Sequence, residues 1–180
     1  MKEARNETLT LRKVLPSDLD AVREYRAEFL KRGEHMDGTS GLVRFEDPAE
    51  WYKWICDAEH KETCSPKWVP DTQFISIRNS DGKLVGMLDI RHERNDKIAN
   101  YYGDIGYSIR ADERRKGYAK MQLALAMEIC KSMGKKHILI TCVKDNIASA
   151  KTIQHCGGIL ENEVVDPDDN ALLQRYWITL

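Results

Sequence analysis

Three cations and a glycine stand together in Arg114-Arg115-Lys116-Gly117-Tyr118-Ala119, directly before the apolar helical run from Met121 to Cys130. Upstream lies the strand-like run from Gly103 to Arg110. A strand, a basic glycine turn and a long helix can hold a pyrophosphate. The first N–H groups of a helix have no internal acceptor, and the aligned peptide dipoles make that end partly positive. An anion supplies both missing things. Gly117 carries no Cβ, so a phosphate can approach the main chain. The competing reading is a solvated basic loop before an ordinary amphipathic helix. Neither of the two common nucleotide fingerprints is present, the G-x-x-x-x-G-K-[ST] run or a G-x-G-x-x-G run between strand and helix.

The elements that must position this turn are legible from punctuation and periodicity. Leu9 to Val14 reads as a first strand. Pro16-Ser17-Asp18 opens a helix with Leu19, Val22, Tyr25, Phe29 and Leu30 on one face, stopping near Gly33. Residues 34 to 46 form a loop, and Asp47-Pro48 caps a second helix bearing Trp51, Trp54 and Ile55. Phe74 to Ile77 and Leu84 to Ile90 are strands around the Asn79-Ser80-Asp81-Gly82 hairpin. A charged connection, 93 to 100, leads to a fourth strand, Tyr101 to Arg110. The long helix runs to about Met133 and Gly134. His137 to Val143 is apolar enough for a buried central strand. Asn146 starts a short helix that closes before Gly157-Gly158. Two last strands, Ile159 to Val165 and Leu172 to Leu180, flank the Pro167-Asp168-Asp169-Asn170 turn. The order is β-α-α-β-β-β-α-β-α-β-β, an α+β (α/β) arrangement.

Bulk properties narrow the classes. A length of 180 residues suits one domain spanning 1–180. With 42% apolar and 32% charged residues the chain is of globular composition. The net charge of −1 excludes binding nucleic acid through bulk positive charge. No run of about eighteen apolar residues exists to span a membrane, and the first seven residues hold no secretory apolar segment. The five cysteines, with no C-x-x-C spacing, read as reduced thiols of a cytoplasmic protein and as neither a zinc site nor a disulfide frame. No metal is expected. Cys130 and Cys142 are expected in the core.

The fingerprint Arg114, Gly117, Ala119 is similar to the [RQ]-x-x-G-x-[GA] signature of the GCN5-related N-acetyltransferase (GNAT) family. The resemblance extends from about Leu84 to the C-terminus. It includes Ile109-Arg110-Ala111-Asp112-Glu113 where the family often has V-x-P-E-Y, Asn146-Ile147-Ala148-Ser149 after the fifth strand, and Cys156-Gly157-Gly158. The segments Ile90-Arg91-His92 and Arg175-Tyr176-Trp177-Ile178 resemble a bacterial branch of that family. The resemblance implies a mixed central sheet of about seven strands, splayed between strands 4 and 5 and flanked by about four helices. It implies acetyl-CoA as co-substrate, its pantetheine arm in the splay bonded to the main chain of Ile109 and Ala111. The pyrophosphate would meet the N–H groups of Arg115, Gly117, Tyr118 and Ala119, with Arg110, Arg114, Lys116 and Lys120 nearby. Asn146 and Ser149 fall where the family contacts the coenzyme; Asn146 alternatively serves only as an N-cap.

The implied reaction is direct attack of an amine on the thioester, which needs a neutral amine, a stabilised oxyanion and a proton for the thiolate. The Ile109 N–H suits the oxyanion. Asp104 is the first candidate base and His92 the second; the alternatives are an exposed strand-start aspartate and a surface histidine. Many relatives carry a proton-donating tyrosine where this chain has Ile153, which leaves Tyr107, Tyr118, His155 or water. The acceptor is a primary amine of a small molecule or a peptide. Glu28, Glu34, Asp37 and Glu46 could attract it, or are ordinary solvated charges. Trp51, Trp54 and Trp68 could line its pocket, or pack the core. The second hypothesis is a coenzyme A-binding sensor whose chemistry has lapsed. The final strands offer the family's usual homodimer face.

Overall fold

The computed structural model describes residues 3–180. Eight strands and four helices alternate along the chain: β1 (Glu3–Arg5), β2 (Leu9–Lys13), α1 (Leu19–Arg32), α2 (Pro48–Ala58), β3 (Asp71–Arg78), β4 (Leu84–Arg91), β5 (Ile105–Ile109), α3 (Tyr118–Ser132), β6 (His137–Val143), α4 (Ile147–His155), β7 (Ile159–Val165) and β8 (Leu172–Thr179). The first strand was missed by the sequence reading, because only Ala4 of its three residues is apolar and buried. Asn6 makes it a hairpin: its Oδ1 accepts from the N–H groups of Thr8 (2.8 Å) and Leu9 (2.7 Å).

Local chemistry sets the helix ends as expected. Gly33 ends α1 in the left-handed conformation (φ 64°), where its N–H reaches the last-turn carbonyls. Asp47 caps α2 by accepting from the Ala49 N–H at 3.0 Å. The fourth expected strand is shorter than the periodicity suggested. Ile98–Tyr102 form a π-helical turn instead, started by the Asn95 side chain on the Ile98 N–H (2.9 Å). Gly103 (φ 68°) then turns the chain into β5.

Strands β1 to β5 form one antiparallel sheet in sequence order, and β6, β8 and β7 form another. Among the described residues the sheets meet in one isolated bridge, Gly103 with Ile140. The expected splay is thus a full separation of ladders beyond the starts of β5 and β6. One core lies under α1 and α2, around Tyr25, Phe29, Trp51, Ile75 and Met87. The other spans both sheets beneath α3 and α4, with Leu88, Ile109, Leu123, Ile129, Ile140, Ile153 and Tyr176. Burying whole apolar side chains at roughly 1.5–3 kcal/mol each makes this shared core the main tie between the sheets. Cys130 and Cys142 are buried in it, as expected.

Candidate functional site

The phase of the strand ladders decides what faces the gap. Arg110 donates its N–H to the Val85 carbonyl (3.0 Å) and Arg91 to that of Asp104 (2.8 Å). Antiparallel pairing alternates, so even-numbered residues of β5 bond β4, while Tyr107 and Ile109 turn their backbone groups away from it. On β6 the bonds Lys144 N–H to Leu172 O (2.8 Å) and Leu180 N–H to Lys136 O (2.9 Å) set the same rule. Thr141 and Val143 therefore face β5. Two strand edges confront each other across a slot that widens toward residue 109, open to an extended chain with amide groups.

The basic turn lies at the wide end. A 3-10 turn, Ala111–Glu113, follows β5, and Gly117 (φ 85°) caps α3. Arg115 is also left-handed (φ 66°), a conformation that costs a non-glycine residue about 1 kcal/mol. These two turns gather the N–H groups of Arg115, Lys116, Gly117, Tyr118, Ala119 and Lys120. None of them donates to a carbonyl among the described residues. Such a run of backbone donors is an anion-binding concavity. A Cβ built on Gly117 would find ample space, its nearest neighbour being the Met121 methyl at 3.8 Å, so φ rather than crowding demands the glycine.

Several expected side-chain donors are engaged elsewhere. Arg114 donates Nε to the Ile109 carbonyl (3.1 Å), pairs with Glu34, and lies 5.7 Å over the Phe29 ring. Lys116 pairs with Glu113 at 2.8 Å and Arg110 with Glu28 at 2.9 Å. The Ala111 N–H, assigned to the pantetheine arm, instead donates to Glu28 Oε1 at 2.9 Å. Glu28 and Glu34 thus hold the turn to α1 rather than face an amine. Arg115 and Lys120 are exposed and have no ion-pair partner among the described residues. Tyr118 is buried beneath the turn, its hydroxyl accepting from Arg78 at 3.3 Å.

Sequence reasoning missed Glu113, one acid in a charged run with no spacing to single it out. It is only 3% exposed and pairs with Arg78 (2.8 Å), Lys83 (2.6 Å) and Lys116 (2.8 Å). The Lys116 and Lys83 donors hold its carboxyl down at about 2. It is the knot that fixes the turn to the β3–β4 hairpin.

The catalytic candidates separate. Tyr107 stands on β5 beside the slot and reaches α4, its hydroxyl 2.9 Å from Ser149 Oγ, and burial pushes the phenol above its ordinary range. Ser149 is thus brought to Tyr107 rather than to the basic turn. Asn146 is an N-cap, accepting from the Ser149 N–H at 3.1 Å, so its structural reading holds here. Asp104 is neither exposed nor free. It is fully buried, pairs with Arg94 and Lys135 (3.1 Å), and accepts from the Leu139 N–H at 2.6 Å. Five residues separate it from Ile109, about 17 Å along an extended strand. It clamps the closed end of the slot. His92 lies at that same end, its Nε2 2.8 Å from Thr72 Oγ1, and burial lowers its pKa. Ile153 is fully buried and packs against Gly158. Trp51 and Ile55 serve the core, whereas Trp68 is exposed beside Tyr102 at 6.0 Å between centroids. No cluster that could hold a metal ion occurs among the described residues.

Two splayed strand edges leading to a crown of backbone donors define a site for an extended carrier with an anionic end. The sequence profile of the acetyltransferase (GNAT) domain matches residues 8–159, and the chain belongs to that family. It is an acetyltransferase of the GNAT class. No curated protein sequence matches it. Among solved structures it is similar to RimL, a ribosomal L7/L12 alpha-N-protein acetyltransferase in complex with coenzyme A, at 16% identity and TM-score 0.74, covering 99% of this chain and 98% of that one. The ribosomal-protein-S5-alanine acetyltransferase from Vibrio fischeri is 15% identical, TM-score 0.73, covering 98% and 96%. Mycobacterium smegmatis RimJ, in complex with CoA-disulfide, is 20% identical, TM-score 0.71, covering 98% and 85%. At these identities the likenesses establish the fold.

Proposed function

We propose that the chain acts as a single cytoplasmic domain that transfers an acetyl group from acetyl-CoA to the primary amine of a small molecule or a peptide. The observation that carries this reading is the run of six free N–H groups at the wide end of a slot edged by strand N–H groups that have no ladder partner. Arg115 to Lys120 would hold the pyrophosphate, and the N–H groups of Thr141 and Val143, with the second lone pair of the Ile109 carbonyl, would hold the pantetheine amides. The coenzyme supplies the acyl group and the departing thiol. The Ala111 N–H becomes available only if Glu28 releases it.

This chain's own residues supply three functions. The Ile109 N–H, aimed into the slot, stabilises an oxyanion. Tyr107 keeps its proton in the buried site and donates it to the thiolate, with Ser149 fixing the hydroxyl. This arrangement replaces the tyrosine absent at Ile153. Asp104 is spent on its clamp, and His92 stands beside it rather than at the slot. The amine therefore loses its proton to solvent, and the rate rises with pH up to the pKa of the acceptor.

RimL and the Vibrio fischeri acetyltransferase are named for ribosomal-protein substrates, which favours testing peptide amines beside small ones. Homodimerisation through β7 is part of the proposal, because Ile159 (75% exposed) and Val165 (56%) leave apolar side chains bare at both ends of that edge strand. The test is release of free thiol from acetyl-CoA across a panel of amines and amino-terminal peptides. Turnover supports the enzyme. Tight coenzyme A binding without turnover across the panel supports the lapsed sensor.

A further inference from the structure

At the closed end of the slot, Arg94, Lys135, Lys136, His137 and Trp177 line an open concavity of roughly 560 Å³. It forms where the chain just beyond Ile90-Arg91-His92 meets Arg175-Tyr176-Trp177-Ile178, two stretches that the coenzyme slot does not use. Its wall is ordered. The Arg94 guanidinium lies 4.9 Å over the Trp177 ring and bonds Asp104 below. Arg94 and Lys135 bond the one carboxylate and Lys136 lines the concavity beside them, so the formal charge of these four side chains is about +2, with the imidazole counted neutral.

The donors still available come from three consecutive residues. Lys135 Nζ gives two bonds, to the His92 carbonyl (3.3 Å) and to Asp104 Oδ1 (3.1 Å), and keeps a third N–H. Lys136 is exposed and has no ion-pair partner among the described residues. His137 engages Thr179 through Nδ1 at 3.3 Å, leaving Nε2 for a ligand. A carboxylate offers two oxygens and one charge. A phosphate monoester offers three terminal oxygens and a charge near −2 at neutral pH, which matches both the donor count and the charge.

We propose that this concavity is a second anion site that takes a phosphate monoester, at the far end of the sheet from the coenzyme turn. The Lys135, Lys136 and His137 donors each meet one terminal oxygen, and the Arg94–Trp177 pair forms a wall for whatever the phosphate is attached to. Because Asp104 both neutralises this cluster and closes the slot, occupancy would tighten the same end of the sheet.

The test is a titration of the isotopically labelled full chain with inorganic phosphate, then phenyl phosphate, followed at the Trp177 indole N–H and the Lys136 and His137 amides. Acetate at matched ionic strength is the control. Saturable shifts at these three probes below about 10 mM are expected, tighter for phenyl phosphate and absent for acetate. The double variant Lys136→Ala, His137→Ala alters only exposed side chains and should weaken binding at least fivefold. Gly117→Val, at the other anion site, should leave the shifts unchanged. No saturable shift, an equal response to acetate, or an unaltered double variant would overturn the proposal. So would an acidic peptide or a polyribonucleotide that saturates these probes where phosphate does not.

Discussion

The proposed mechanism gives the proton to a phenol two residues short of Ile109, whose environment keeps it protonated on its strand. Burial disfavours the phenolate, so Tyr107 stays protonated across the working range, and the Ser149 hydroxyl fixes its direction. Tyr107→Phe should lower kcat about 100-fold or more while leaving the dissociation constant for coenzyme A within about threefold, read by thiol release and calorimetry. In the wild type, no falling limb from this group should interrupt the alkaline side of the pH–rate profile up to about pH 10, the ordinary tyrosine pKa. A bell with its descending arm near pH 8 would assign the donor elsewhere. At the turn, Gly117→Val forces a β-branched residue to φ 85° and should weaken coenzyme A by tenfold or more. Arg115→Gly is the contrast. It relieves about 1 kcal/mol of left-handed strain and adds a similar loss of chain entropy, so its melting temperature should hardly move.

At the scale of elements, two buried carboxylates act as ties. Asp104 joins β5 to β6, and Asp104→Asn leaves Arg94 and the mostly buried Lys135 short of a counter-charge. The expected cost is about 3 kcal/mol, a fall in Tm of roughly 6–12 °C by scanning fluorimetry. The folded fraction should keep most of its activity, an outcome a catalytic base could not give. Glu113 joins the turn to the β3–β4 hairpin. Its folded pKa of about 2 lies below the ordinary 4.5, so its stabilisation is complete above about 4.5 and disappears as pH falls toward 2. Glu113→Gln should destabilise the protein at neutral pH and flatten the loss of stability between those limits, measured by urea unfolding at a series of pH values. The sequence showed the turn, its glycine, the helix after it, the alternation of β3 and the apolar run of β6, because each depends on neighbours within a few positions. It did not show the roles of Glu28, Glu34 and Glu113. Their partners stand 82, 80 and up to 35 residues away, and a charged residue looks alike in sequence whether solvated or paired. Asp104 was misread for the same reason: a strand-start aspartate is ordinarily wet, and only the arrival of Arg94, Lys135 and β6 buries it.

Across the whole molecule, a net charge of −1 coexists with local cationic sites because most ionised side chains are matched nearby. Self-association should therefore depend on apolar surface more than on salt. Ile159→Lys on β7 should convert a dimer to a monomer by light scattering, and a wild type that is already monomeric would remove the dimer from the proposal. The single backbone bridge between the two sheets has a mechanical consequence. Below Gly103 and Ile140 the molecule is stitched; above them it is a seam, held by side-chain packing while the facing N–H groups have no ladder partner. A carrier threaded into that seam would supply the missing rungs. Amide deuterium uptake at Ile109, Thr141 and Val143 should then slow markedly when coenzyme A is added, whereas Leu139, already bonded to Asp104, should exchange slowly with or without it.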